Sequence, residues 1–219
     1  MIRIAIDPQR LDEVFVLADV TEQSERAQLL LEHLRSDAKL SGALVDKPRL
    51  GSVDLDTLSR LPEGTLGRAY ADFMRSRGLA HEDLQLVEGE GELDFLRNHL
   101  RETHDLWHVA TGFDTDVAGE LGVQAFYLAQ FTSPLPVMLI GVGMLNALVR
   151  DMDDAGRRVQ AIARGWLLGR RAEPLFGLRW AERWDQPLEE LRRERSIDVG
   201  AVDAWLSELD GAEALAAVA

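Results

Sequence analysis

Four side chains in one short stretch have the types and the spacing of metal ligands. In "HDLWHVATGFDTDVAGE" they are His104, Asp105, His108 and Glu120. Residues four apart lie on one face of a helix, so the two imidazoles can bind the same ion. Asp105 lies three residues before His108, and its carboxylate can bind the ion or orient a histidine ring. Two imidazoles and two carboxylates suit zinc and are also compatible with Fe(II) or Mn(II).

Glu120 can join this group only if the chain turns between it and the histidines. Twelve residues of straight helix would place Glu120 about 18 Å from His108, whereas metal–ligand bonds are about 2 Å long. The segment 112–116, "GFDTD", provides the break, because its glycine typically ends a helix and its Asp and Thr residues can cap the next one. A second helix running back beside the first would bring Glu120 opposite the histidines.

Three other sites share parts of this pattern. A zincin protease carries a glutamate directly after its first histidine, where this chain has the shorter Asp105. A His-Asp-type phosphohydrolase needs a further upstream histidine on another helix, and His33 and His81 are the only candidates. The two histidines with Glu120 alone would form the facial triad of non-haem Fe(II) oxygenases, with Asp105 as an outer-shell partner. The residues alone disfavour the protease. They leave open the phosphohydrolase, the iron triad and a histidine pair that is only part of a polar surface.

The elements that position these residues are predicted to be helices. Apolar residues recur at helical spacing in 24–37, 63–79 and 92–112. The residues expected on one side of the first helix are Ala27, Leu29, Leu30 and Leu34, with Ser24 as its N-cap. No sustained period-2 alternation and no βαβ pattern occurs. We therefore predict an all-α fold, a single helical domain over residues 1–219, with helices around an apolar cavity and the metal site between two antiparallel helices.

Composition excludes several classes of protein. The net charge of −14 argues against nucleic-acid binding, because phosphate backbones require a basic surface. Cysteine is absent, so disulfides, iron–sulfur clusters and cysteine-ligated zinc are excluded. Acids at residues 7, 12 and 13 make the N-terminus unlike a signal peptide or a transit peptide. We therefore expect a cytoplasmic protein.

Two segments after the histidines suggest a ligand. Residues 121–149 contain no charged side chain, but Pro134 and Pro136 interrupt them, so we predict two buried helices rather than a transmembrane span. Alternatively, these helices line an apolar cavity or lie against a membrane. Residues 157–195 hold ten arginines against six acids. They form either a solvated face paired with acids or a site for an anionic head group.

The combination resembles a known family. "HDLWHVATGFDTDVAGE" resembles the HDxxH-x11-E signature of the coenzyme Q biosynthesis protein four family, the ubiquinone-pathway proteins. "LPEGTLGRAYADFMRSRGL" (61–79) is similar to a second block of that family. "ARGWLLGRRAEPLFGLRWAERWDQPLEELRRE" (163–194) is similar to its C-terminal block. The resemblance covers about residues 24–195, with the blocks in the family's order.

The resemblance implies an all-helical protein that binds a divalent metal, usually taken as zinc. Carried over by position, the ligands would be His104, Asp105, His108 and Glu120. It also implies an apolar cavity for a prenyl tail, peripheral association with a membrane, here the inner membrane, and a homodimer. The family is described as an organiser of the ubiquinone-synthesis complex. It is also described as the protein that replaces the C1 carboxylate of a prenylated benzoate by a hydroxyl.

Two functional hypotheses follow from the resemblance. The first is a lyase that decarboxylates a 4-hydroxy-3-methoxy-5-polyprenylbenzoate-like lipid with the help of the metal. Residues 121–149 would take the tail, and Arg164, Arg170 or Arg171 would face the anionic group. The second is a non-catalytic scaffold that holds the isoprenoid lipid for other quinone-biosynthesis enzymes, with a purely structural metal.

Overall fold

Helices make up the ordered elements of the protein, as a computed structural model of residues 25–80, 84, 86–131 and 133–216 describes them. In chain order they are α1 (Glu25–Ser36), α2 (Ser41–Asp46), α3 (Leu55–Leu58), α4 (Leu66–Arg77), α5 (Glu92–Thr111), α6 (Val117–Gln130), α7 (Pro134–Arg150), α8 (Ala155–Arg171), α9 (Leu188–Glu194) and α10 (Val199–Ala216). In these residues, β pairing is limited to an isolated bridge between Thr65 and Pro187. The predicted all-α class is confirmed.

The structure is a single domain in which the described residues divide into two compact units. The first unit contains the residues up to Ala110 together with Glu173–Arg195. The second unit contains Thr111–Ala172 together with the residues from Ser196 onward. The predicted domain boundaries, 1–219, and the predicted apolar cavity stay predictions.

Helix α1 buries a different side from the one expected. Leu30, Leu31 and Leu34 are at most 6% exposed, whereas Leu29, expected on the buried side, is 55% exposed. Successive residues of a helix are about 100° apart, so Leu29 and Leu31 lie on opposite sides of Leu30. The folded chain buries the side of Leu31 rather than that of Leu29, so the prediction for Leu29 is wrong. Ser24, the predicted N-cap, lies outside the described residues.

Helix α4 follows its sequence pattern closely. The Thr65 hydroxyl accepts a hydrogen bond from the backbone N–H of Arg68 and caps the helix. The apolar residues of its predicted stripe are all buried, namely Leu66, Tyr70, Phe73 and Met74. Gly78 ends the helix with a φ of 64°, a conformation that glycine adopts without strain.

A buried histidine of α5 connects three segments of the first unit. His99 is 1% exposed, and its Nδ1 lies 3.0 Å from the carbonyl oxygen of Pro48. Its Nε2 accepts a hydrogen bond from the backbone N–H of Gly177 at 3.0 Å. Since Nε2 accepts, Nδ1 must carry the proton, and the ring is neutral. Burial lowers the pKa of His99 to about 4.

We expect His99 to make the protein less stable in mild acid. The pKa of a histidine in an unfolded chain is about 6.5, so the unfolded chain binds more protons than the folded one between that pH and pH 4. The free energy of unfolding should therefore fall by up to about 3 kcal/mol as the pH drops through this window. His99→Gln keeps a donor and an acceptor but does not titrate, so it should show a smaller pH dependence in denaturant titrations.

The matched control for this experiment is His33→Gln. His33 is exposed on α1, so its replacement tests whether exchanging any histidine for glutamine alters the slope. Equal slopes for the wild type and His99→Gln between pH 6.5 and pH 4 would contradict the assignment.

In the second unit, glycines bring α6 and α8 into close contact. A Cβ atom on Gly165 of α8 would lie 1.9 Å from the carbonyl oxygen of Gly122 on α6. A Cβ atom on Gly169 would lie 2.8 Å from the carbonyl oxygen of Phe126. Both distances are far below van der Waals contact, so only glycine permits this approach of the two backbones.

Helices α6 and α7 confirm the predicted break in the uncharged run 121–149, and Pro134 is the first residue of α7. The prediction that both helices are buried is wrong for α7. Its exposed apolar residues are Val137 (53%), Leu145 (45%), Leu148 (67%) and Val149 (59%). Helix α7 packs against α6 and α8 through its other face, which includes Val142, Gly143 and Ala147. Among the described residues, no helix has the length and apolar character to cross a membrane.

Candidate metal centre

Helix α5 places the two predicted histidine ligands side by side. The Nε2 atoms of His104 and His108 are 3.2 Å apart. Zinc–nitrogen bonds of about 2.05 Å would place two ligands of a tetrahedral ion about 3.3 Å apart. His108 is completely buried and its ring lies 5.7 Å from that of Phe73, whereas His104 is partly exposed. The histidine pair therefore has the geometry of two ligands of one ion, with an apolar wall behind His108.

Buried polar contacts hold α5 in place before the histidines. Glu102 is 3% exposed and accepts hydrogen bonds from the Arg49 guanidinium, at 2.5 Å from Nη2, and from the Leu50 backbone N–H at 3.1 Å. These bonds satisfy the carboxylate away from water. The Asn98 side chain exchanges two hydrogen bonds with the backbone of Val87, at 2.8 and 2.9 Å. A helix anchored at two points can present its histidines in a fixed orientation.

An arginine from the C-terminal block holds the other end of α5. Arg192 of α9 donates from Nε to the carbonyl oxygen of Ala110 at 2.9 Å and from Nη2 to that of Val109 at 3.0 Å. The last carbonyls of a helix have no partner within the helix, and a cation there also interacts favourably with the helix dipole. Arg192 therefore stabilises the end of the helix that carries His108.

The predicted turn and second helix are both present. Gly112 has a φ of 71°, which fits the end of α5. Asp116 is the N-cap of α6, since its Oδ1 accepts from the backbone N–H of Gly119 at 2.8 Å. Its other oxygen pairs with Arg157 of α8. The hydrogen bond to Asp154, and then the one to Asp116, raises the pKa of the Arg157 guanidinium. The cap fixes the first turn of α6, where Glu120 lies.

One of the two predicted carboxylates joins the histidines. One ligand atom from each of His104, His108 and Glu120 lies within 4.8 Å of the other two, so this group could bind a metal ion. Asp105 is not part of the group, and its role as a ligand or outer-shell partner stays a prediction. Two imidazoles and one carboxylate can hold zinc, Fe(II) or Mn(II), and three protein ligands leave positions for another molecule. The upstream His81 required by a phosphohydrolase lies outside the described residues.

The three arginines predicted to bind a head group have different surroundings. Arg164 lines a cleft in the second unit and is ion-paired with Asp203. Arg170 is exposed, with its guanidinium 5.9 Å from the ring centre of Trp166, and Arg171 is exposed as well. Neither of these two lines the cleft. The alternative prediction was an arginine-rich face paired with acids. Arg157 and Arg164 agree with it, because each is paired with an aspartate.

Sequence reasoning missed the residues that support the histidine pair. They are Arg49, Asn98, His99, Glu102 and Arg192. A signal was present, because the polar residues of "NHLRET" (98–103) interrupt the apolar pattern of a helix just before its histidines. Their partners are far away in the chain, so the sequence could not show what they bind.

Comparisons with known proteins support the family resemblance that the signature of residues 104–120 indicates. Residues 1–200 match the family model described as coenzyme Q (ubiquinone) biosynthesis protein Coq4. The chain is 32% identical over 199 residues to the mitochondrial ubiquinone biosynthesis protein COQ4 homolog of Danio rerio, covering 88% of this chain and 71% of that protein. It is 31% identical over 204 residues to the corresponding Aedes aegypti protein, covering 90% and 73%.

A solved structure shares the fold. It is a crystal structure from Nostoc punctiforme PCC 73102, provisionally described as that of a ubiquinone biosynthesis protein. The similarity has a TM-score of 0.81 at 31% sequence identity, and it covers 90% of this chain and 94% of that one.

Proposed function

We propose, from the premise that this chain belongs to the coenzyme Q (ubiquinone) biosynthesis protein Coq4 family, that it is a metal-dependent lyase acting on a polyprenylbenzoate. Its substrate is a 4-hydroxy-3-methoxy-5-polyprenylbenzoate-like lipid. The bond from ring carbon C1 to the carboxylate breaks, CO2 leaves, and a hydroxyl takes its place. This is a two-electron oxidation. With dioxygen as the oxidant and water as the source of the hydroxyl oxygen, dioxygen takes up the two electrons and two protons and becomes hydrogen peroxide.

The observation that carries the proposal is the group of His104, His108 and Glu120, whose ligand atoms lie within 4.8 Å of one another. A divalent ion held there supplies a Lewis acid that stabilises negative charge on the substrate. Zinc is the metal that we propose, with Fe(II) or Mn(II) as alternatives for this ligand set. Asp105 is proposed as a fourth ligand or as the group that orients an imidazole.

The protein's own residues have three tasks in this reaction. The buried His108 and the neighbouring Phe73 ring exclude water from one side of the site. The partly exposed His104 and Glu120 form the side that a substrate can approach. Arg164, with Arg170 and Arg171 as the other candidates, binds the anionic group of the lipid, as guanidinium groups commonly do.

The apolar run 121–149 is proposed to bind the prenyl tail. The exposed apolar side chains of α7 support this role, because Val137, Leu145 and Leu148 are 53%, 45% and 67% exposed. The same face suits peripheral contact with the inner membrane, a second copy of the chain, or another enzyme of quinone biosynthesis. The predicted cytoplasmic location stays a prediction, and the N-terminal acids on which it rests lie outside the described residues.

The exposed face of α7 also favours the second candidate function, a scaffold that holds the lipid for partner enzymes. The two functions differ in what His104→Ala does. For an enzyme, the folded variant should still bind lipid but lose turnover by at least about 100-fold, because the metal site is disrupted. For a scaffold, no turnover exists to be lost, and the variant should assemble less well with its partners.

Native mass spectrometry of the purified protein, with metal analysis of the same sample, tests both functions together. We expect one divalent ion per chain and a bound isoprenoid lipid, and both should be present before any assay of turnover. A protein that carries neither ion nor lipid would overturn the proposal. The lipid without CO2 release under dioxygen would leave the scaffold as the function.

A further inference from the structure

A cleft in the second unit has the size and the lining of a ligand site. Its volume is about 390 Å³, and residues of the segment 112–119, of α8 and of α10 line it. The lining residues that matter here are Phe113, Asp116, Arg157, Arg164, Asp203 and Ser207. Small-molecule sites typically have volumes of about 300–1,000 Å³ and a few convergent polar groups. The cleft therefore can hold a small molecule or the head group of a larger one.

Arg164 is held in the cleft but uses few of its hydrogen-bond donors. Its side chain is only 15% exposed, and its guanidinium carbon lies 4.4 Å from the ring centre of Phe113. Its Nε donates to Asp203 Oδ1 at 2.5 Å. Within the part of the chain that the structure describes, the hydrogen bonds of Arg164 do not involve Nη1 or Nη2. One face of the guanidinium is covered, while the terminal donors at its edge are available.

Arg157, the second cation of the cleft, is already bound on two sides. It pairs with Asp116, and its Nε donates to Asp154 Oδ1 at 2.6 Å. Hydrogen bonds from Arg157 and then Arg158 hold the pKa of Asp154 below its usual range. Arg157 thus has a structural task at the cap of α6, whereas Arg164 has terminal donors that a ligand can use.

We infer that this cleft binds an anionic oxygen group, a carboxylate or a phosphate, through Nη1 and Nη2 of Arg164. A guanidinium edge with two parallel donors matches such a group in a bidentate manner. Asp203 is 50% exposed and holds the guanidinium through one bond, so it is the counter-ion against which the ligand competes. The inference rests on the proposed function for the source of the anion. It deepens that function, because it assigns the contact with the lipid head group to one arginine.

Titration calorimetry of the full-length protein with two separate probes tests the inference. Inorganic phosphate and 4-hydroxybenzoate are titrated in chloride buffer of low ionic strength. Binding of phosphate alone identifies a phosphate site, binding of 4-hydroxybenzoate alone a carboxylate site, and either result supports the anion site. Charge-assisted hydrogen bonds contribute about 1.5–3 kcal/mol, so Arg164→Gln should weaken binding about 10- to 100-fold.

Two further variants separate a ligand contact from a structural role. Asp203→Asn removes the competing charge and should strengthen binding several-fold, which loss of a merely structural ion pair would not do. Arg193→Gln is the matched control, because Arg193 is an exposed arginine of α9 that does not line the cleft, and the affinity of this variant should stay within about twofold of the wild type. If Arg164→Gln does not fold, the Asp203→Asn result decides.

The inference is overturned if neither probe binds the wild type, if Arg164→Gln binds as tightly as the wild type, or if Asp203→Asn binds more weakly. Its failure is distinguishable from failure of the proposed function. Anion binding that depends on Arg164, without any decarboxylation, would leave the cleft assignment intact and remove the lyase. Decarboxylation at the wild-type rate in Arg164→Gln would remove the cleft assignment and leave the lyase intact.

Discussion

His108→Ala is expected to lower the affinity for a divalent metal ion by at least about 100-fold. Changes to outer-shell partners alone lower metal affinity about 10- to 100-fold. We expect at least the upper end of this range, because His108 itself contributes a ligand atom. Its Nε2 lies 3.2 Å from that of His104, so its removal takes away half of the imidazole pair. Competition with a chromophoric chelator, with elemental analysis of the dialysed protein, measures the affinity.

Controls are needed because His108 is completely buried, and the alanine leaves a cavity that can lower stability. Glu120→Gln tests the same site at a partly exposed position and should also lose most of the affinity. His33→Ala, at an exposed position of α1, should bind metal as the wild type does. Asp105→Asn tests the role of Asp105. If Asp105 is a ligand, the variant should lose as much metal affinity as His108→Ala, and if it is an outer-shell partner, the loss of affinity should be smaller. Wild-type affinity in both His108→Ala and Glu120→Gln would contradict the site.

Gly165→Ala is expected to destabilise the protein by about 3 kcal/mol or more, at or above the upper end of the usual cost of overpacking. The new Cβ atom would lie 1.9 Å from the carbonyl oxygen of Gly122, and the obstacle is backbone rather than a side chain that can rotate. Helices α6 and α8 would have to separate, with loss of contacts along both. Denaturant titration followed by circular dichroism measures the change in the free energy of unfolding.

The chain offers a matched control on the same helix. At Gly156 a Cβ atom would meet no other atom within 4 Å. Gly156→Ala should therefore leave the free energy of unfolding unchanged or raise it by up to about 1 kcal/mol, because alanine favours the helix over glycine. Equal stability of the two variants would show that α6 and α8 are not held together by the glycine at 165.

The ends of the helices around the site were predictable because they depend on neighbouring residues. Gly78 and Gly112 adopt positive φ where α4 and α5 end, as a glycine at that position allows. Asp116 caps α6 through a hydrogen bond to a residue three positions later. The four-residue spacing of His104 and His108 places both on one helix face, and the Nε2 distance of 3.2 Å confirms that expectation.

Burial was less predictable, because it depends on which neighbour a helix meets. The same leucine-rich pattern in α1 was compatible with a buried Leu29 or a buried Leu31, and packing selected Leu31. Residues 134–149 of α7 are uncharged, and their sequence gave no indication that Leu145 and Leu148 would be exposed. A run of apolar residues shows that a helix can be buried, and the three-dimensional arrangement determines which face is covered.

The sequence alone thus determined the all-helical class, the histidine pair and the turn that follows it, because these features arise from interactions over a few residues. It also carried the family signature from His104 to Glu120. Only the tertiary structure decided that a ligand atom of Glu120 lies within 4.8 Å of those of both histidines, and that Arg164 has terminal donors available beside Asp203. Those outcomes depend on atoms from helices that are distant in the chain, and packing brings them within a few ångströms.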